Sequence, residues 1–427
     1  MSRSLPNDQQ GQALVSLGFL NFFMADVQAG IGPFLGVFLI AHGWQSGPIG
    51  TVMTIGGIAG MIMTAPAGAF IDETKRKRTC VIVLGICTVL ASMIILTSQT
   101  FWVVALSQVA TAVAGAAIGP ALNGITLGIV RQAGFNRQNG YNQALNHAGN
   151  LVGAGLSGWL GWAFGLTAVF WLAAGFGVLS IISVLMIPRE TIDDDEARGA
   201  VHPALDSQGK TGSVEHRKAS GFGVLADSKP LLLLAGALAL FHLGNGAMLP
   251  LFGLAVVSAK QGDPAGFVAL TIVVAQGTMI ITSLIAMRVA EKRGQWLVLL
   301  ISFIALPVRG FVAAYLITSW GVYPVQILDG VGAGLQSVAV PALVARILNG
   351  TGRINVGQGV VMTVQGVGAS LSPAIGGWLA QEIGYSAMFM ILGSFAFGSI
   401  ALWAGFHGIL REAASVPGLA AVPADLS

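Results

Sequence analysis

Residues 158–170, GWLGWAFGLTAVF, return at 377–389 as GWLAQEIGYSAMF, at a constant offset of 219. Gly158/Gly377, Trp159/Trp378, Leu160/Leu379, Gly165/Gly384, Ala168/Ala387 and Phe170/Phe389 are identical. A second match, GIGPFLG against GAMLPLFG, aligns Pro33 with Pro250. Matches this far apart imply two copies of one architecture within a single chain. What each copy is follows from composition and charge.

The chain has 427 residues, 54% hydrophobic and 9% charged. A soluble domain carries about 25% charged residues, so this is a membrane composition. The 59 glycines fit it, because small residues let membrane helices approach closely. A membrane-spanning helix needs about 20 mostly apolar residues. Twelve stretches qualify: 14–40, 48–71, 79–97, 101–129, 141–163 and 167–187, then 231–258, 265–287, 296–317, 320–345, 357–380 and 386–410. With the N-terminus inside, all 21 Lys and Arg residues except Lys260 and Arg309 fall on the inner side. That asymmetry sets orientation and predicts cytoplasmic N- and C-termini. The segment 188–230, with DDDEARG and little apolar content, reads as a cytoplasmic linker, partly disordered. It divides a six-helix bundle, 1–187, from a second, 231–427, that ends in a short tail. The expectation is an all-α membrane protein of 12 transmembrane helices in two parallel six-helix repeats.

Several function classes drop out. The net charge of +3 does not suggest nucleic-acid binding. Cys80 and Cys87, if on one helix, lie roughly 10 Å apart at about 1.5 Å per residue, too far for a bridge. Two thiols offer no metal site, and no cofactor motif is present. Neither Gly-x-Ser-x-Gly nor His-Glu-x-x-His occurs. No phosphate-binding loop is present, so an enzyme and an ATP-driven pump are both disfavoured.

The loop after the second span, GAFIDETKRKR at 68–78, resembles the signature of the major facilitator superfamily, Gly-x-x-x-Asp-Arg/Lys-x-Gly-Arg/Lys-Arg/Lys. Gly68, Asp72, Arg76 and Lys77 match; Glu73 and Lys75 depart from it. The second-half loop, AMRVAEKRG at 286–294, has Ala290 where an Asp would stand. The resemblance implies a transporter fold and a cytoplasmic gate in which Asp72 latches the inner ends of the halves, with Arg131 as its partner. It is to bacterial exporter-like members. Yet Gln108 replaces the Arg that many drug exporters carry in the fourth helix. Their Pro-Gly motif is absent from GNLVGAGLSGWLG, although a partial form appears in GASLSPAIGG, 368–377.

Polar residues inside the spans mark the candidate site. Asp26 is the lone charge between Leu14 and Ile40. An ionised Asp near the bilayer midplane costs about 2.5–3.5 kcal/mol on insertion scales, and intramembrane acids mark pathways. Asp26 is therefore the first candidate for carrying a proton. Asp329 lies ten residues into the tenth span, roughly 15 Å deep. It is either a second proton site or the structural ion-pair partner of Arg309 in the ninth. Asn139, Gln143, Asn146 and Asn150 step by four, three and four along the fifth span, with His147 beside them. Such a stripe faces helices or a water-filled cavity, never lipid. His242 and Asn245 lie one turn apart in the seventh span, and His242 and His147 join the titrating candidates. Asn21, Gln28, Gln276 and Gln365 complete the cavity candidates, together with Gln143, Asn146, Asn150, Asn245 and Arg309. The expected function is proton-coupled movement of a small organic solute by alternating access, more readily export than uptake. An uncoupled facilitator or a proton–solute importer of the same fold is the alternative. The expected setting is the bacterial inner membrane, as a multi-pass monomer whose partners are solute, protons and the lipid bilayer.

Overall fold

The computed structural model describes residues 7–29, 31–193, 228–259, 263–348 and 354–414, with some side chains inside helices left undescribed. Most of the expected linker, 194–227, lies outside the described residues. The chain groups into two compact units, Met1–Val214 with Gly262–Leu270 and Glu215–Gln261 with Thr271–Ser427.

The first unit contains α1 (Asn7–Ala29), α2 (Ile31–Ala41), α3 (Ser46–Glu73), α4 (Lys77–Met93), α5 (Phe101–Ala116), α6 (Ile118–Phe164) and α7 (Thr167–Leu185). From Lys229 onward come α8 (Lys229–Asn245), α9 (Met248–Ser258), α10 (Pro264–Arg293), α11 (Gln295–Tyr315), α12 (Val322–Ile347), α13 (Ile354–Ile383), α14 (Tyr385–Gly405) and α15 (His407–Ala414). No strand occurs among the described residues. Eleven stretches of the described residues are helical, long and apolar enough to cross a membrane. The expected fifth span, 141–163, is helical too, as the second part of α6. It is missing from the eleven because its amide and imidazole side chains dilute its hydropathy.

Two of the expected spans are broken in the middle, and each break precedes a proline. The fourth span divides at Ala117, three residues before Pro120, and the seventh at Gly246–Ala247, just ahead of Pro250. Proline lacks an N–H and clashes with the carbonyl four residues back, so the ladder opens there. The first span is described as helix on both sides of residue 30, which itself lies outside the described residues. Pro66, Pro307, Pro341 and Pro373 instead stay inside continuous helices. At the seventh-span break the freed amide has a partner: Ala247 N–H donates to Ser372 Oγ of α13 at 2.9 Å. Bilayer interiors require such a bond wherever backbone leaves the helical ladder.

The repeat read from sequence is visible in the packing. Gly149 of α6 lies on the carbonyl oxygen of Phe22 in α1, leaving no room for a Cβ. Gly368 of α13 lies in the same way on the carbonyl of Ala239 in α8. The two glycines are separated by the offset of 219 found at 158/377, and Phe22 and Ala239 by the spacing of Pro33 and Pro250. Each unit therefore uses one glycine contact between equivalent helices. The crossing of the second and fourth spans also recurs, with the small residue on the opposite partner. A Cβ on Gly56 of α3 would stand 3.0 Å from Cβ of Gln108 on α5. In the other unit Gly330 of α12 packs against Thr278 of α10, and Thr282 Oγ1 donates to Gly330 O at 2.9 Å. Close approach of this kind replaces the hydrophobic drive that lipid removes.

Large apolar side chains are exposed on the outer faces, as a lipid-facing surface demands. Trp102, Phe164, Tyr315 and Trp320, at the ends of their helices, are each at least 70% exposed, the placement of an interfacial aromatic belt. Both cysteines are free.

Candidate functional site

In the first unit the site is built on α1 and the second part of α6. Asp26 is 2% exposed, and its Oδ1 has no hydrogen-bond partner among the described residues. It fits because α6 presents glycine opposite it: a Cβ on Gly153 would overlap Oδ1. Gly149 and Gly153 thus form the floor on which α1 lies. Asn21, one turn and a half earlier, is buried and donates to Leu17 O at 2.8 Å, so one of its two N–H groups is spent inside α1. The side chains of Gln28 and Asn139 lie outside the described residues.

The expected polar stripe of α6 divides between two faces. Asn142, which the four-three-four stepping passed over, is 3% exposed. It donates to Thr126 Oγ1 at 2.9 Å and accepts from Gln138 at 3.0 Å. Its spacing to Gly149 and Gly153 puts it on the face turned toward α1. Gln143 is exposed, while Asn146, His147 and Asn150 are half-buried. Asn150 donates to Asn146 Oδ1 at 3.3 Å, and His147 Nδ1 is buried without a partner among the described residues.

A cavity of about 440 Å³ opens among the first four spans. Gly56, Gly57 and Gly60 of α3 leave the space, with Gln108 and Thr111 of α5 and Thr88 of α4 in its wall. No charged residue among the described ones lines it. Thr111 Oγ1 is buried and without a hydrogen-bond partner among the described residues. Sequence reading noted Gln108 for the arginine it replaces; the glycine run on α3 was the signal for the space itself.

In the second unit the two charged residues in the middle of spans, Arg309 and Asp329, meet in one network. Arg309 on α11 is 1% exposed. Its Nη1 lies 2.6 Å from Asp329 Oδ1 of α12 and donates to Asn245 Oδ1 of α8 at 2.6 Å. Its Nη2 donates to Gln326 Oε1 at 3.4 Å, and Asn245 Nδ2 donates to Asp329 Oδ1 at 3.4 Å. Of the two expectations for Asp329, the structure forms the ion pair. Arg309 Nε and Gln326 Nε2 are left without partners among the described residues. Next along α12, Gln336 donates to Ser302 Oγ at 2.9 Å, and Ser302 donates to Gly332 O at 3.1 Å. His242 sits beside Gln336 and in the field of Asp329. A buried pair of this kind holds three helices in register, and losing one partner costs about 3–5 kcal/mol. Gln276 is half-buried with Oε1 unpartnered among the described residues, and Gln365 is half-buried.

At the basic loop, Gly68 is half-buried and the side chain of Asp72 lies outside the described residues. Arg76 is exposed. Lys77, expected as a gate cation, is 2% exposed, and its Nζ donates to Thr74 O at 3.0 Å, bracing the turn. Arg131, where the two parts of α6 meet, has φ 56° and ψ 178°, and its Nη2 lies 3.9 Å from Asp193 Oδ2. Asp193 N–H also donates to Gly128 O at 3.0 Å, fixing the start of the linker to the end of the fourth span.

The sequence model described as Major Facilitator Superfamily matches residues 14–355. Two curated proteins called uncharacterized MFS-type transporters, from Mycobacterium tuberculosis strains CDC 1551 / Oshkosh and H37Rv, are each 36% identical over 382 residues, 89% of this chain and 90% of theirs. Among solved structures, the nucleoside transporter NupG superposes with a TM-score of 0.72 at 16% identity, covering 95% of this chain and 99% of its own. A bacterial homologue of the human lysosomal transporter Spinster, inward-facing and unoccupied, gives 0.71 at 14% identity, covering 97% and 100%.

Proposed function

The chain belongs to the major facilitator superfamily and is a membrane transporter, and from that premise we propose that it moves a small organic solute by alternating access, driven by protons. Asp26 is the proton-carrying group in this reading. The observation that carries it is a carboxyl 2% exposed in the first span, with Oδ1 unpartnered among the described residues and set against a glycine. Such a group is tolerable when neutral and costly when ionised, so its charge state follows the access of water from one side or the other.

Asp329 differs because Arg309 already neutralises it. Proton exchange there requires the pair to open, which makes it a second-order site. His242 and His147 are the further titrating groups in this proposal. Asn146, Asn150 and Asn245 are its solute contacts, with Asn21, Gln28, Gln143, Gln276, Arg309 and Gln365 as further lining groups. Gln108 and Thr111 join them from the uncharged cavity of the first unit. Gly68, Asp72, Arg76, Lys77 and Arg131 form the gate that the loop signature implies, and export is the direction implied by exporter-like members. We place the protein in the bacterial inner membrane as a monomer with both termini in the cytoplasm.

The test is uptake into proteoliposomes with solute pools and an imposed pH gradient. The gradient should drive accumulation. Asp26→Asn, which keeps the shape and removes the titration, should abolish gradient-driven accumulation and leave solute exchange. Accumulation by Asp26→Asn equal to the parent would remove Asp26 from the coupling step. Exchange that ignores pH in both proteins would make this an uncoupled facilitator.

A further inference from the structure

Where the loop after α3 meets the last turn of α7, the first unit has a cavity of about 430 Å³. Lys75, Arg76, Arg78 and Arg189 line it, and Ile82 and Leu185 contribute its apolar side. Arg78 is already engaged, because its guanidinium donates to Val184 O at 3.3 Å and Leu185 O at 2.9 Å, closing the end of α7. Lys75, Arg76 and Arg189 are exposed, and their side chains have no hydrogen-bond or ion-pair partner among the described residues. No acidic residue among the described ones lines the cavity.

α4 also begins here. Its N-cap residue, Arg76, makes no side-chain cap hydrogen bond, and the first-turn residues Lys77, Arg78 and Thr79 all line the cavity. The positive end of a 17-residue helix adds to the field of the cations. Like charges around one concavity repel one another, and an anion seated among them relieves this.

The surroundings select which anion. The outer faces of α4 and α7 that lead away from the cavity are exposed and apolar: Val83 and Ile86 on α4, Ile182 and Leu185 on α7, and Met186 just beyond it. A free inorganic ion would use the cations and leave that strip idle. A diacyl phospholipid uses both, with its phosphate among the cations and its chains along the strip.

We propose that this cavity binds the headgroup of an anionic phospholipid whose acyl chains lie against α4 and α7. The site uses none of the solute-cavity residues, and its test does not depend on transport. The full-length protein in mild detergent is titrated with phosphatidylglycerol or phosphatidylcholine, and retained lipid is counted by native mass spectrometry. Phosphatidylglycerol should bind at least about tenfold more tightly than phosphatidylcholine, and the double variant Lys75→Gln/Arg189→Gln should lower its affinity about tenfold. Lys292→Gln, at the exposed basic end of α10, should leave it unchanged. Equal retention of the two lipids, or a double variant that binds like the parent, overturns the proposal. So does displacement of the lipid by millimolar inorganic phosphate, which would make this a site for the free ion. Arg189→Gln alone, at an exposed position, gives the same comparison should the double variant fail to accumulate.

Discussion

Asp26 and Asp329 are two intramembrane acids with opposite solutions. Asp329 shares its charge with Arg309, Asn245 supports both, and no one of the three can be removed without stranding another. Asp329→Leu and Arg309→Met should therefore each destabilise the detergent-solubilised protein by about 3–5 kcal/mol, while the double Arg309→Met/Asp329→Leu should recover most of that loss. Unfolding measured on the two singles and the double closes the cycle; additive losses would mean that the pair is not a unit. Asp26 Oδ1 has a glycine opposite it and no partner among the described residues. Gly153→Ala should push a methyl into its carboxyl and cost about 1–3 kcal/mol by the same measurement. All three charged residues were legible in sequence, because a charge inside an apolar run needs a reason. Asn142 was not. The stepping through 143, 146 and 150 is equally helical, and the choice of inward face depends on Gly149 and Gly153 meeting α1.

Helices here are punctuated by pairs of residue types rather than by proline alone. The breaks before Pro120 and Pro250 each have a glycine within four residues upstream, Gly119 and Gly246. Pro66, Pro307, Pro341 and Pro373 have none that close, and their helices continue. Proline removes one bond, and glycine removes the side chain that would have resisted the bend. The seventh-span break then depends on a hydroxyl from α13. Ser372→Ala should leave Ala247 N–H buried and unpaired, at about 1–3 kcal/mol, read as a lower unfolding temperature in detergent. An unchanged temperature would show that another acceptor replaces it. Both spans read as unbroken in sequence, although each has a Gly–Pro cluster; the serine that satisfies one break was not legible, because it lies 125 residues away.

At the scale of the molecule, apolar run lengths and the one-sided distribution of Lys and Arg were enough to specify the spans and propose their orientation. A reporter fused after Ser427 should be active on the cytoplasmic side and silent on the other; the reverse would invert every loop. The cavity among the first four spans escaped sequence reading for a physical reason. It is made by missing side chains at Gly56, Gly57 and Gly60, and missing atoms enclose a volume only once helices are paired around them. The paired glycine contacts, Gly149 on Phe22 and Gly368 on Ala239, carry a historical consequence. A duplicated gene begins with two identical halves, free to drift apart. In register with those contacts, Asp26 is matched by Leu243, and aligning Pro120 with Pro341 sets Asp329 against Gln108. Descent has thus kept the joinery of the ancestral half twice while its acids diverged, so that neither half duplicates the chemistry of the other.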